Sequence, residues 1–235
     1  MSFVLIHGGA HGAWCWAPLI EHLKGDALAI DLPGRGRKPA DLSKLDADAF
    51  ARSVVEDIEQ AGIERCVLVG HSLAGITMPR VAELIPERIA HLAFVSCCIP
   101  ADGQTVAEAL ASEMPQGVRI EGSSEPRPPM EASVARAMFC NDMDEAQTSF
   151  VLENLCAEAG RPLVEPTRLA GLEQPIERTY IKLLRDQSLS PALQDRFIRN
   201  AGKGCRVKTL DAGHNAMISR PRELAAILEE IHATL

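Results

Sequence analysis

Six short apolar runs rich in Val, Ile and Leu punctuate the chain, at 3–6, 27–30, 66–69, 92–95, 179–184 and 205–210. Their lengths suit strands, and most lack the apolar–polar alternation of a sheet with one wet face. They therefore predict strands covered on both sides. Between them the period changes. From Asp46 to Ala61, Phe50, Val54 and Ile58 recur every fourth position, while Asp48, Arg52, Glu56 and Glu59 take the other face, which predicts an amphipathic helix. Near the end, Pro221 suits a first helical position, and Leu224, Ile227, Leu228 and Ile231 make one stripe. This alternation predicts an α/β fold: a mostly parallel sheet of about six strands with helices on both faces.

One region breaks the rhythm. Between Pro100 and Pro175 no convincing strand pattern occurs. Helical candidates lie at about 103–112, 131–140 and 144–159, around a Pro- and Gly-rich loop at 122–130. The expected organisation is a core of residues 1–100 and 176–235, with 101–175 inserted as a small helical cap over one end of the sheet. Met114, Met130, Met138, Phe139, Met143, Phe150 and Leu155 suggest an apolar lid, though at helical spacing some of them simply hold the cap together.

Composition narrows the class. At 235 residues the chain fits one compact domain with a real core. A formal net charge of -8 argues against nucleic acid, which draws affinity from clustered Lys and Arg. The first apolar run is too short for a secretion signal, and no stretch approaches the length of a membrane span. Seven cysteines in such a chain read as reduced, so a cytoplasmic location is expected. Oligomeric state stays open, a homodimer included.

The chemistry centres on Val67-Leu68-Val69-Gly70-His71-Ser72-Leu73-Ala74-Gly75, an apolar strand that runs into serine with a helical pattern following at once. A serine at the tip of so tight a turn needs small residues two positions to either side, here Gly70 and Ala74. A hydroxyl is a weak nucleophile at neutral pH and needs a base, which needs an orienting acid. His214, in Asp211-Ala212-Gly213-His214-Asn215, is the candidate base. Asp186, after the fifth run, is the preferred acid from the order serine–acid–histidine; Asp102 competes, and Asp211 is too near His214 along the loop. Backbone amides of Leu73 and of Gly9, with Gly8 second, are candidates for holding an oxyanion, the glycines lying in the turn His7-Gly8-Gly9-Ala10-His11-Gly12. Gly8, His11, Trp14, Met138 and Phe139 are candidates for contacting substrate, with packing beside the turn an equal reading for Trp14 and local hydrogen bonding an alternative for His11. His71 is expected to point away from Ser72 by strand alternation, and Cys97-Cys98 to end a buried strand. No metal or organic cofactor is required.

These blocks resemble the α/β-hydrolase superfamily, and within it the plant methylesterase and hydroxynitrile lyase group with its small bacterial relatives. The resemblance rests on Phe3–Gly8, His11-Gly12-Ala13-Trp14, Asp31-Leu32-Pro33-Gly34-Arg35-Gly36, Gly70–Gly75, Tyr180-Ile181 with Asp186 and Gln194, and Ala212–Pro221. It implies Ser72, Asp186 and His214 as a triad and the insertion as a cap. Lyases of this group typically carry threonine, cysteine and lysine where this chain has Gly8, Leu73 and Asn215. Hydrolysis of a small, mainly hydrophobic carboxylic ester is therefore expected. Lyase-type C–C cleavage and a receptor that retains the triad are the alternatives.

Overall fold

A computed structural model describes residues 1–111 and 123–235. Met114 and the last position of the 103–112 helical candidate lie outside the described residues. Six strands form one sheet: β1 (Ser2–Ile6), β2 (Ala27–Ile30), β3 (Cys66–His71), β4 (Ile89–Val95), β5 (Glu177–Leu183) and β6 (Arg206–Leu210). Their spatial order is β2-β1-β3-β4-β5-β6 and every pairing is parallel. Because all strands point one way, the loops after β1, β3, β4, β5 and β6 gather at a single edge. That edge carries the site.

The helices are α1 (Ala17–Ile20), α2 (Ala47–Gln60), α3 (Ala74–Leu84), α4 (Val106–Leu110), α5 (Ala132–Phe139), α6 (Glu145–Asn154), α7 (Arg161–Val164), α8 (Pro191–Asn200), α9 (Ala216–Ser219) and α10 (Pro221–His232). Strand alternation divides the core in two. Val4 and Ile6, Leu68, Leu92 and Phe94, and Tyr180 face α2, α3 and α8, where Phe50, Val54, Ile58, Val81 and Phe197 pack. Phe3 and Leu5, Val67 and Val69, Ala93 and Val95, and Ile181 and Leu183 face α1, α9 and α10, where Leu19, Met217, Leu224, Leu228 and Ile231 pack. Each large side chain buried this way contributes about 1.5–3 kcal/mol of transfer free energy.

The six expected runs all become strands, with boundaries shifted by up to three residues. α2 starts where Asp46 accepts the Ala49 amide at 2.7 Å, a carboxylate cap on free amide groups. It buries Phe50, Val54 and Ile58 as their spacing requires. Between β4 and β5 run α4 to α7, called the cap below; the described residues there add a 3-10 turn, Ala170–Glu173, and an isolated antiparallel bridge, Arg127 with Glu158. Among the described residues, no helix is long and apolar enough to cross a membrane.

Candidate active site

The turn from β3 into α3 is crowded. Ser72 has φ +53°, the left-handed region that disfavours a side chain. The conformation is held by neighbours: Ser72 N–H donates to Val95 O at 3.2 Å, and Ser72 O accepts from Cys98 N–H at 2.8 Å. A methyl group at Gly70 would stand 2.9 Å from the Ala74 Cβ, and one at Gly8 would stand 2.7 Å from the Ser72 Cβ. Small residues at 70 and 74 are thus a packing requirement, and Ala74 in place of glycine is accommodated.

Ser72, His214 and Asp186 come together although they lie far apart in sequence. His214 Nδ1 lies 2.7 Å from Asp186 Oδ2, and His214 Nε2 lies 3.0 Å from Ser72 Oγ. An ionised carboxylate only accepts, so Nδ1 carries the proton and Nε2 presents its lone pair to the serine hydroxyl. Both His214 and Asp186 are buried. The competing acids are elsewhere: Asp102 accepts from Leu169 N–H at 2.9 Å, and Asp211 pairs with Arg185 at 2.9 Å.

Asp186 is held from all sides. Its Oδ1 accepts the Ser188 and Leu189 amides at 2.7 and 2.8 Å, and its Oδ2 also accepts the Ser96 hydroxyl at 2.6 Å. Gln194, fully buried, frames the same loop by donating to Leu183 O and Leu189 O and accepting from Leu183 N–H. Ser96 was not foreseen. Its position just past the fourth apolar run was the available signal, and at φ +41° it is a second residue held in the left-handed region at this edge.

The turn after β1 supplies the opposite wall. His7 Nδ1 donates to Gly8 O at 2.8 Å and its Nε2 accepts Leu32 N–H at 3.1 Å, so one neutral tautomer ties the turn to the chain beyond β2. Burial pushes His7 down to about 3 and His11 down to about 4, keeping both neutral. His11 Nδ1 donates to Gly9 O at 2.7 Å. Ala10, at φ +59°, has both backbone groups taken by the cap: its N–H donates to Glu158 Oε2 at 2.8 Å, and its carbonyl accepts Cys156 N–H at 3.0 Å. Glu158 also pairs with the buried guanidinium of Arg35 and accepts Ala159 N–H. Sequence reasoning missed this pair.

A cavity of about 300 Å³ opens at the serine. Gly9, Ala10, Ser72 and Leu73 form its floor, Met130, Met138, Phe139 and Leu163 its apolar sides, and Arg127 and Glu158 its charged members. Gly9, Leu73, Met138 and Phe139 therefore lie where the sequence suggested. Gly8, His11 and Trp14 do not line the cavity, and for His11 and Trp14 the local-packing reading is the one seen. Gly8 packs behind the Ser72 Cβ, and Trp14 stacks on His11 at 5.3 Å with its edge to Phe150. Their aromatic and amide surfaces are spent on shaping the turn from behind. Met143, Phe150 and Leu155 likewise pack against the second core cluster and do not line the cavity. His71 does face away from the cavity, yet it serves the site: its Nε2 donates to His214 O at 2.9 Å, and burial holds its ring well below the usual imidazole range.

A doubly covered parallel sheet with a strained serine between its third strand and the following helix is the fold of an α/β hydrolase. The chain belongs to the alpha/beta hydrolase family, whose model matches residues 3–227. It is 28% identical to "Probable esterase PIR7A" of Oryza sativa subsp. indica over 98% of this chain and 96% of that protein. It is 26% identical to "Putative methylesterase 14, chloroplastic" of Arabidopsis thaliana over 98% of this chain and 71% of that protein. Among solved structures, it resembles an extracellular α/β-hydrolase from a Paenibacillus species (TM-score 0.84, 22% identity, 98% of each chain). It also resembles polyneuridine aldehyde esterase (TM-score 0.80, 23% identity, 98% of each chain).

Proposed function

We propose that the protein is a carboxylic ester hydrolase working through an acyl-enzyme on Ser72. The observation that carries this reading is the unbroken chain of hydrogen bonds from Asp186 through His214 to a serine hydroxyl on the floor of an apolar cavity. Similarity to proteins named esterase and methylesterase supports it. Ser72 Oγ attacks the ester carbonyl as His214 Nε2 takes its proton, and Asp186 holds the tautomer and stabilises the imidazolium. The amides of Gly9 and Leu73, which flank Ser72 on the cavity floor, hold the oxyanion. His214 then protonates the leaving alkoxide, and water, deprotonated in turn by His214, releases the acid and restores the serine.

The cavity volume sits at the low end for small-molecule sites, and its lining is mainly apolar, with Leu, Met and Phe beside the charged Arg127 and Glu158. A small ester with a mainly hydrophobic acyl or alcohol part fits that description. Lyase chemistry is disfavoured because the residue after His214 is the buried, neutral Asn215, with no cation there to receive a departing anion. The test is turnover of a series of methyl and p-nitrophenyl esters. Hydrolysis that is lost in Ser72→Ala supports the reading, and hydrolysis that survives the substitution overturns it. Stoichiometric ligand binding with no turnover of any ester would favour a receptor.

A further inference from the structure

The cap reaches the edge of the sheet a second time, beside the His214 loop. Just after α5, Asp142 presents a carboxylate whose side chain is 1% exposed. Its Oδ2 accepts Gly213 N–H and the Ser219 hydroxyl, both at 2.9 Å, and lies 3.8 Å from the Arg185 guanidinium. Its neighbour Asn141 donates from Nδ2 to Arg185 O at 2.8 Å. Gly213 immediately precedes His214, and Arg185 immediately precedes Asp186. Two adjacent cap residues thus grip the backbone one position before the acid and one position before the base.

The fit is close. A methyl group at Gly213 would stand 2.5 Å from Asp142 Oδ1 and 2.6 Å from Asn141 Oδ1. Arg185 joins the same two loops directly, its amide donating to Ala212 O at 2.9 Å and its guanidinium to Asp211 O at 2.7 Å. The acid and base are therefore joined through their side chains and again through a backbone frame, with the Asn141–Asp142 turn closing that frame from the cap. A buried carboxylate is costly to desolvate and persists where its donors are fixed. Here the donors are the Gly213 amide beside His214 and the Ser219 hydroxyl at the end of α9, and neither Asp142 nor Asn141 lines the cavity.

We infer that the Asn141–Asp142 turn of the cap is a positioning element for the Asp186–His214 pair, setting the imidazole against Ser72 without touching substrate. The inference rests on the esterase reading above. Misplacing a reacting group by about 1 Å costs on the order of a hundredfold in rate.

The test measures labelling of the full-length protein by a fluorophosphonate, together with kcat and KM for one p-nitrophenyl ester. Both are taken well below the unfolding temperature and expressed per folded molecule. Asp142→Ala is expected to slow labelling and lower kcat about tenfold to a hundredfold with KM within about twofold. Asp142→Asn keeps an acceptor for the Gly213 amide and is expected to recover to within about threefold of the parent. Should Asp142→Ala fail to fold, Asn141→Ala, at an exposed position, removes only the bond to Arg185 O and is expected to cost about threefold to tenfold. Full-rate labelling of Asp142→Ala, a loss confined to KM, an Asn variant no faster than the Ala variant, or, where Asp142→Ala does not fold, an Asn141→Ala that labels at the parent rate overturns the inference. If the parent protein itself is not labelled, or Ser72→Ala is, the esterase reading falls and this inference with it.

Discussion

Two parts of the site meet at Ser72 and are built on different principles. The turn from β3 into α3 is assembled by its own sequence: its strain is absorbed by bonds to β4 and by the small residues Gly70 and Ala74. The turn after β1 is assembled from a distance. Ala10 sits 148 positions from Glu158, yet its amide ends on that carboxylate, and its carbonyl ends on Cys156. Ser72 is thus placed by local geometry, whereas the turn after β1 and the histidine loop depend on how the cap docks. The local part should tolerate cap substitutions, and the distant part should not.

The sharpest way to separate the two is at the serine itself. Ser72→Ala leaves every backbone bond of the turn in place, so the protein should fold as before while ester turnover falls by about 10⁴–10⁶-fold. Steady-state hydrolysis beside a thermal melt checks both halves. The next largest effect is expected behind the serine. Gly8→Ala puts a methyl 2.7 Å from the Ser72 Cβ and 3.1 Å from His71 Nδ1, so either the β1 turn or the nucleophile must shift. A loss in kcat on the order of a hundredfold is expected.

Glu158→Ala strikes the distant half alone. It strands the Arg35 guanidinium, whose side chain is 2% exposed, and frees the Ala10 amide. Losing one partner of a buried pair costs about 3–5 kcal/mol, which should lower Tm by roughly 6 °C or more in a chain of this length. Turnover should drop about tenfold as the Gly9 amide loosens. A calorimetric scan and kcat measured on the same sample decide it, and unchanged values in both would dissolve the distinction between the two halves.

A further effect, on stability and not on turnover, comes from pH. His7 and His11 are neutral in the fold, pushed down by burial to about 3 and about 4, and regain an ordinary value near 6.5 when unfolded. Between about 6.5 and about 4 the unfolded chain therefore binds more protons than the native one, and stability falls as pH falls. Above about 6.5 these two groups add no pH dependence. Urea melts from pH 8 to pH 4 should show midpoints that are flat with respect to the two histidines and then decline. Replacing His11 with Gln should flatten part of the decline.

The same division explains what could be read before any coordinates. The six strands, α2 and the serine turn were legible because their signals are contiguous: apolar runs, a stripe at every fourth position through Phe50, Val54 and Ile58, and Gly70 two residues before Ser72. Asp186 and His214 were found from their order and from their places after strand runs. Ser96, Glu158 and the Asn141–Asp142 turn carried no comparable mark. Each acts on a partner tens to more than a hundred residues away, and an isolated serine, amide or carboxylate outside any motif looks like solvated surface. Trp14 and His11 carried two readings, cavity wall or local packing, and the structure places both in the packing behind the turn; sequence alone does not say which side of a turn faces the cavity.

The central claim is a covalent ester on one named hydroxyl. It is tested most directly by quenching the protein in acid during turnover of a slowly deacylated p-nitrophenyl ester and locating the added mass by peptide mass spectrometry. The account predicts one acyl group on Ser72, formed with a burst of about one equivalent of nitrophenol. Steady hydrolysis with the acyl group on another residue, or with none trapped and full activity in Ser72→Ala, would contradict it.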